Sequence, residues 1–255
     1  MSSTESAVPI SWSTLRNPSL RRGARLETRK IPWAAWLAGK ALPLSICTLL
    51  AVAVGQRLTG EAAGLARSGV DLLTALGFLR RLLTLGFVIL IAASYLTRAA
   101  AVAPARGFWE RVFPVLVVLA GPAEVVLLSR KDVPPTAGLG TLGLVLGVVG
   151  GCQTLWAMTH LKRSFSVMVE ARGLVISGPY RYVRHPLYLG EALVLFGLSL
   201  MLGTAGAVLF AVAISALQLI RARLEEAKLA RQFPEYRDYR DRTPFFLPPL
   251  RQQSR

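Results

Sequence analysis

Residues 187–220 read LYLGEALVLFGLSLMLGTAGAVLFAVAISALQLI, and Glu191 is the one charged residue in the run. As a single helix this stretch would extend about 51 Å at 1.5 Å per residue. The hydrocarbon core of a bilayer is only about 30 Å thick. Gly203-Thr204 divide the run into Leu187–Leu202 and Ala205–Ile220, with Gly206 close behind. The pattern predicts two membrane-spanning helices joined by a tight turn that the glycines ease. A hairpin returns the chain to the side it left, so the segments before Leu187 and after Ile220 are expected to meet at one membrane surface.

Four more apolar runs lie upstream: Pro32–Gln56, Leu82–Thr97, Arg111–Leu128 and Ala137–Met158. The second is short, and its helix is allowed to begin near Val70 so that Arg80 and Arg81 sit at the outer interface. Gly143, Gly147 and Gly151 recur at four-residue spacing, which favours close helix packing within lipid. No strand precedes them and no Lys-Ser or Lys-Thr follows, so they are not a phosphate loop. The expected fold class is all-α, a polytopic membrane helix bundle of about six transmembrane helices ending in the hairpin. A basic tail (1–30) would precede the N-terminal helices (31–160) and a functional core (161–255). The tail is expected to be retained, because the run after it is too long for a signal-peptide core, and its first ~20 residues are expected to be mobile.

Charge orients the bundle. The chain carries 30 basic and 14 acidic residues, a net +16. With both termini placed inside, 23 basic residues fall on inner segments and six on outer ones, while Lys40 lies in the first span. That asymmetry predicts cytoplasmic termini. It also accounts for the basic balance without nucleic acid, since 53% of residues are apolar. Arg outnumbers Lys by 25 to 5, a bias in keeping with a high-GC bacterial genome and an inner-membrane location. Cys47 and Cys152 lie within apolar runs and read as small buried hydrophobes. They form no Cys/His cluster of the kind that holds zinc. Glu124 and Glu191 would be costly facing lipid, so each is expected to face the bundle interior or a wet cavity.

The segment joining the fourth and fifth spans, Ser164–Tyr188, reads SFSVMVEARGLVISGPYRYVRHPLY. Gly173 and Gly178-Pro179 signal turns. Pro186 suits the first turn of a helix, where its missing N–H costs nothing, so Arg184 and His185 fall at a helix N-terminus. Tyr180, Tyr182 and Tyr188 with Arg181 and Arg184 would also suit an interfacial belt against lipid phosphates. Beyond the hairpin the chain reads LIRARLEEAKLARQFPEYRDYRDRTPFFLPPL. Arg221 and Glu225 share a helix face at four-residue spacing. Glu226 lies one step round, and the hairpin is expected to carry the two carboxylates beside His185.

Together these residues resemble a known family. The run GPYRYVRHPLYLG, a helical hairpin, Glu225-Glu226 and then FPEYRDY look like the isoprenylcysteine carboxyl methyltransferases and their phospholipid-methyltransferase relatives. The family pattern Arg-His-Pro-x-Tyr-x-Gly matches Arg184, His185, Pro186, Tyr188 and Gly190, and its Glu-Glu pair matches Glu225 and Glu226. The likeness covers roughly the last 90 residues. Two positions depart from it: Glu191 replaces an apolar residue, and Pro234 stands where Gly is common.

The resemblance implies a cytoplasmic site for S-adenosyl-L-methionine, formed by Val175, Gly178, Tyr180, Tyr182, His185, Pro186, Tyr188, Glu225 and Glu226. It implies that Glu225 or Glu226 accepts hydrogen bonds from ribose hydroxyls or the methionyl ammonium. Arg184, and less directly Arg221, would be the catalytic arginines that hold a carboxylate. The implied acceptor is a lipophilic molecule delivered by membrane lipid, an isoprenylcysteine-like carboxylate first, with a phospholipid amine or a small thiol as alternatives. Methyl transfer from a sulfonium needs alignment and exclusion of water rather than a metal or an enzyme nucleophile. A non-catalytic scaffold or lipid-binding protein is the reading from a different class. The sequence does not set the oligomeric state.

Overall fold

The computed structural model describes residues 41–68, 70–97, 101–128 and 137–246. Seven α-helices occupy them: α1 Leu42–Ser68, α2 Leu72–Thr97, α3 Gly107–Leu128, α4 Ala137–Leu161, α5 Pro186–Leu202, α6 Ala205–Gln232 and α7 Tyr236–Arg242. No strand forms among the described residues, which hold one isolated antiparallel bridge, between Ala103 and Ala171. The architecture is the expected all-α membrane bundle. Among the described residues, four helical stretches are long and apolar enough to cross a bilayer: Pro43–Arg67, Leu72–Thr97, Gly138–Ser164 and Ala205–Gln232. The apolar α5 is shorter, at 17 residues. Leu49, Leu72 and Leu209 are each about 70% exposed, which in water would be an aggregation hazard and in lipid is solvation.

Helix boundaries differ from the apolar runs in instructive ways. The first expected span, Pro32–Gln56, begins outside the described residues, as do the basic tail and Lys40. Its helix runs on past Gln56 to Ser68, because the polar segment RLTGEAAGLARS still consists largely of good helix formers. There Glu61 pairs with Arg81 of α2, joining the two helices at one end. The second span takes its longer form and starts at Leu72. Asp71 explains the start: its Oδ1 accepts the backbone N–H of Thr74 at 2.8 Å, and Thr74 Oγ1 accepts that of Asp71 at 3.2 Å. This reciprocal cap satisfies two of the otherwise orphaned first-turn donors. Helix α3 begins at Gly107, ahead of Arg111, with Glu110 in its first turn accepting from the Arg106 N–H at 2.6 Å.

The hairpin forms as the sequence predicts. Gly203 ends α5 in the left-handed region at φ 67°, its N–H donating to the Ser199 carbonyl at 3.1 Å. Thr204 caps α6 through its hydroxyl, which accepts the Ala207 N–H at 3.2 Å. Gly206 lies in the first turn of α6, so the reversal itself rests on Gly203 and Thr204.

Helix α4 is the centre of the bundle and packs against both α2 and α5. On the α5 side a Cβ at Gly143 would come 2.5 Å from the Gly197 carbonyl, and one at Gly150 would come 2.7 Å from the Gly190 carbonyl. On the α2 side, Gly147 receives the Arg80 stem and Gly151 the Leu83 side chain. The glycine spacing therefore serves two neighbours, one on each face. The Arg80 stem thus packs against α4. Cys47 is buried as expected, but Cys152 is exposed. It falls on the lipid side of α4 because the adjacent Gly150 and Gly151 take the inward positions. The Glu124 side chain lies outside the described part of the chain. Glu191 faces inward, accepting from Gln218 Nε2 at 2.6 Å.

One ion pair ties the far end of α6 to the rest. Lys228 Nζ donates to Glu110 Oε2 at 2.6 Å and to the carbonyls of Pro104 and Val169, both at 2.9 Å. Lys228→Met would strand a carboxylate and two carbonyls. It is expected to cost about 2 kcal/mol, read as a lowered thermal midpoint of the purified protein.

Candidate active site

The segment between α4 and α5 is held as a shaped loop rather than a free connection. Two short 3-10 turns, Lys162–Ser164 and Gly178–Arg181, bracket it. Its middle is pinned where Ala171 exchanges backbone hydrogen bonds with Ala103 at 3.1 Å and the Val169 N–H donates to the Glu110 carbonyl at 2.9 Å. Gly178 is required by two features: its φ is 61°, and the His160 ring occupies the place a Cβ would take.

At the loop's end the two halves of the motif meet. Arg184 Nε donates to Glu226 Oε1 at 2.7 Å, and His185 Nε2 lies 3.0 Å from the same oxygen. The hairpin thus brings residues 41 and 42 positions apart into direct contact, as its geometry requires. Arg184 Nη1 also donates to the carbonyls of Arg240 (2.8 Å) and Thr243 (2.6 Å). The backbone N–H groups of Arg184 and His185 donate to the Pro244 and Phe245 carbonyls at 2.9 and 3.3 Å. These bonds fold the segment after α7 back over the motif. The His185 ring lies parallel to Tyr188, 5.5 Å between centroids, and packs on Phe245 at 4.6 Å.

A second cluster lies beside the first. Tyr188 donates its hydroxyl to Glu225, and Arg221 Nε stands 3.5 Å from the same carboxylate. The Arg221 guanidinium, 2% exposed, covers the Tyr188 ring at 4.9 Å and reaches the Ser166 carbonyl at 3.4 Å. A cation held against an aromatic face and a carboxylate keeps its charge despite burial.

These clusters form the wall of one cavity. It encloses about 110 Å³, less than most small-molecule sites, and opens to solvent. Of the residues the sequence singled out, Val175, Tyr180, Arg184, His185, Tyr188, Arg221 and Glu225 line it. The others do not reach it. Gly178 shapes the turn, Pro186 is buried in the first turn of α5, and Tyr182 points out, 55% exposed. Glu226 sits behind the wall, buried, where it fixes Arg184 and His185.

The cavity also has members the sequence reading did not assign: Phe165, Ser166, Met168, Glu170, Gly173, Leu174, Tyr236 and Tyr239. Tyr236 and Tyr239 belong to the FPEYRDY run, whose tyrosine spacing was the available signal. Tyr239 donates to the Tyr180 carbonyl at 2.6 Å. Burial pushes the Tyr180, Tyr236 and Tyr239 phenols well above their ordinary range, so all three act as hydroxyls. Tyr180 Oη is buried without a hydrogen-bond partner. Glu170 is held by Arg172 at 2.5 Å and by the Ser166 hydroxyl at 2.7 Å.

The arrangement suits a zwitterionic, partly aromatic ligand that bears an extra cation. Carboxylates at Glu225 and Glu170 can receive hydroxyl or ammonium donors. His185 and Tyr188 add aromatic surface to the wall. Arg221 supplies a positive counterpart, and Tyr180 Oη is a polar group that needs a partner. The donor set fits S-adenosyl-L-methionine.

Fold and site define a class: a helical membrane protein with a polar small-molecule cavity at the end of its C-terminal hairpin. Residues 139–236 match the model of the family described as phospholipid methyltransferase. The chain is 36% identical over 113 residues to a cobalt-zinc-cadmium resistance protein of Cupriavidus metallidurans, covering 44% of this chain and 49% of that one. A nickel-cobalt-cadmium resistance protein of Alcaligenes xylosoxydans xylosoxydans is 34% identical over the same length and shares. Methanethiol S-methyltransferase 2 of Bradyrhizobium diazoefficiens is 31% identical over 170 residues, 57% of this chain and 65% of that one. The chain thus spans about half the length of two of these relatives and under two thirds of the third. The kinship implied by Arg184–Gly190 and Glu225-Glu226 is supported: the chain is similar to the membrane methyltransferases of the isoprenylcysteine carboxyl and phospholipid type.

Proposed function

We propose that this chain is an S-adenosyl-L-methionine-dependent methyltransferase acting on a lipophilic acceptor at the inner face of the membrane. The observation that carries the reading is the convergence of Tyr180, His185, Tyr188, Arg221 and Glu225 on one cavity at the open end of the hairpin. In this reading the termini are cytoplasmic, supported by the 23-to-six distribution of basic residues, and residues 161–255 form the catalytic core.

A cofactor held by Tyr180, His185, Tyr188 and Glu225 would supply an activated methyl group for the acceptor's lone pair, its own sulfur keeping the electron pair of the broken carbon–sulfur bond, and any proton on the acceptor would pass to water. The chain's own residues orient and shield. His185 and Tyr188 present the aromatic wall, Glu225 receives a donor of the bound molecule, and Tyr180 Oη offers a hydrogen bond. Arg184, occupied by Glu226 and two carbonyls, holds the wall in place. Arg221 is the cation placed to meet a carboxylate, which is what an isoprenylcysteine-like acceptor requires. A thiol or an amine acceptor needs no such cation, and the similarity to a methanethiol S-methyltransferase favours that alternative.

Incubating the purified chain with methyl-labelled S-adenosyl-L-methionine and a host lipid extract tests the reading. Label is expected in an extractable lipophilic product; S-adenosyl-L-homocysteine binding without any labelled product would leave the scaffold reading standing. Tyr180→Phe separates ligand contact from stability. The variant loses a hydroxyl that has no protein partner, so its unliganded thermal midpoint should equal or exceed wild type. Its S-adenosyl-L-homocysteine affinity should fall about fivefold, the worth of one hydrogen bond of about 1 kcal/mol.

A further inference from the structure

A second hollow lies between α5 and α6. Its walls include Tyr188, Phe196, Leu219 and Phe246, and it shares Tyr188 with the polar cavity. An occupant there would abut the wall that carries His185 and Glu225. The lining is apolar except for Ser215, Gln218 and the Tyr188 hydroxyl, which is committed to Glu225.

Ser215 and Gln218 are not satisfied by the protein. Gln218 is 5% exposed, and its Nε2 donates to Glu191 Oε2 at 2.6 Å. Its Oε1 is buried with no hydrogen-bond partner, and Ser215 Oγ is in the same condition. The short Nε2–Oε2 contact with Glu191 fixes which end of the amide faces it. The nitrogen is committed and the carbonyl oxygen is left over. A buried amide oxygen without a donor calls for a specific explanation, and a ligand's hydrogen would provide one. Glu191 is also where the sequence departs from the apolar residue usual in the related methyltransferases.

We propose that this hollow receives the methyl acceptor and that Gln218, oriented by Glu191, selects an acceptor whose nucleophilic atom bears a hydrogen, a lipophilic amine or thiol, over a carboxylate. The inference rests on the methyltransferase reading above and assigns its substrate class. A carboxylate brings no hydrogen for Gln218 Oε1. An N–H or S–H donates to Gln218 Oε1 on binding. The acceptor then loses that proton to water in the solvent-open cavity as its lone pair takes the methyl carbon. Gln218 is a specificity residue and Glu191 a positioning residue acting through it.

The test uses the full chain in phosphatidylcholine nanodiscs with methyl-labelled S-adenosyl-L-methionine and three acceptors of equal chain length: dodecylamine, dodecanethiol and dodecanoate. Wild type is expected to label the amine or the thiol with kcat/KM at least tenfold above dodecanoate. Gln218→Leu should lower that preferred value at least tenfold, mainly through KM, with S-adenosyl-L-homocysteine binding unchanged. Glu191→Gln, which keeps bulk and polarity but frees the amide to turn, should narrow the preference with little change in kcat. The proposal is overturned if dodecanoate is labelled best, if none of the three is labelled by a wild type that binds S-adenosyl-L-homocysteine, or if both variants keep the wild-type preference. A wild type that binds no S-adenosyl-L-homocysteine overturns the methyltransferase reading and this assignment with it, which tells the two failures apart.

Discussion

Replacing Glu226 with alanine is expected to weaken S-adenosyl-L-homocysteine binding by at least about 100-fold, because removing one partner of a buried ion pair costs about 3–5 kcal/mol. Glu226 is 7% exposed and one of its oxygens holds both Arg184 (2.7 Å) and His185 (3.0 Å). Without it, a guanidinium with 11% of its side chain exposed faces an empty space, and the His185 ring loses the contact that sets its angle to Tyr188. The effect is indirect, since Glu226 stands behind the cavity wall. Glu226→Gln keeps an oxygen at the same place but not the charge, and should lose about tenfold, in line with the weaker neutral hydrogen bond. Arg223→Gln is the control. Its side chain is 72% exposed and 3.9 Å from Glu226 Oε2, so its loss should change affinity by less than about 0.5 kcal/mol. Isothermal titration of the detergent-solubilised chain measures all three.

The second large effect is on assembly of the bundle. Gly150→Val is expected to abolish a folded product or to lower stability by at least about 3 kcal/mol. A Cβ at Gly150 would lie 2.7 Å from the Gly190 carbonyl, 2.7 Å from Leu193 Cβ and 2.8 Å from the Val194 backbone nitrogen. Two of those three atoms are backbone, so no rotamer change relieves the clash and α5 must move. Gly190 belongs to the motif helix, and its displacement would carry His185 and Tyr188 with it. Gly60→Val, at a position with nothing within 4 Å, should leave a monodisperse protein, because it meets only lipid or solvent. Size-exclusion profiles and thermal midpoints of the two variants distinguish packing at one interface from a general penalty for β-branched residues in these helices.

The parts of this molecule legible in the sequence were those set by local chemistry. The hairpin followed from run length and the Gly203-Thr204 break, and the approach of Glu226 to His185 followed from the hairpin. The helix limits of α1 and α2 were less legible, because helix formation continues through polar residues where an apolar pattern stops. Asp71 and Thr74 mark the start of α2 more sharply than hydropathy does. The packing of the Arg80 stem was hidden because its site is made by Gly147, far along the chain. The cavity's remaining wall was hidden for the same reason. Arg184 finds the Arg240 and Thr243 carbonyls only because the segment after α7 folds back, and Tyr239 reaches Tyr180 by the same return.

The central claim is that the cavity walled by His185, Tyr188 and Glu225 binds S-adenosyl-L-methionine. The most direct measurement is titration of S-adenosyl-L-homocysteine into the full chain in nanodiscs, alongside His185→Ala and Tyr188→Ala variants that retain the wild-type elution profile. The account predicts saturable binding to wild type and a loss of at least tenfold in each variant. Absence of binding to wild type, or equal binding by all three proteins, would contradict it.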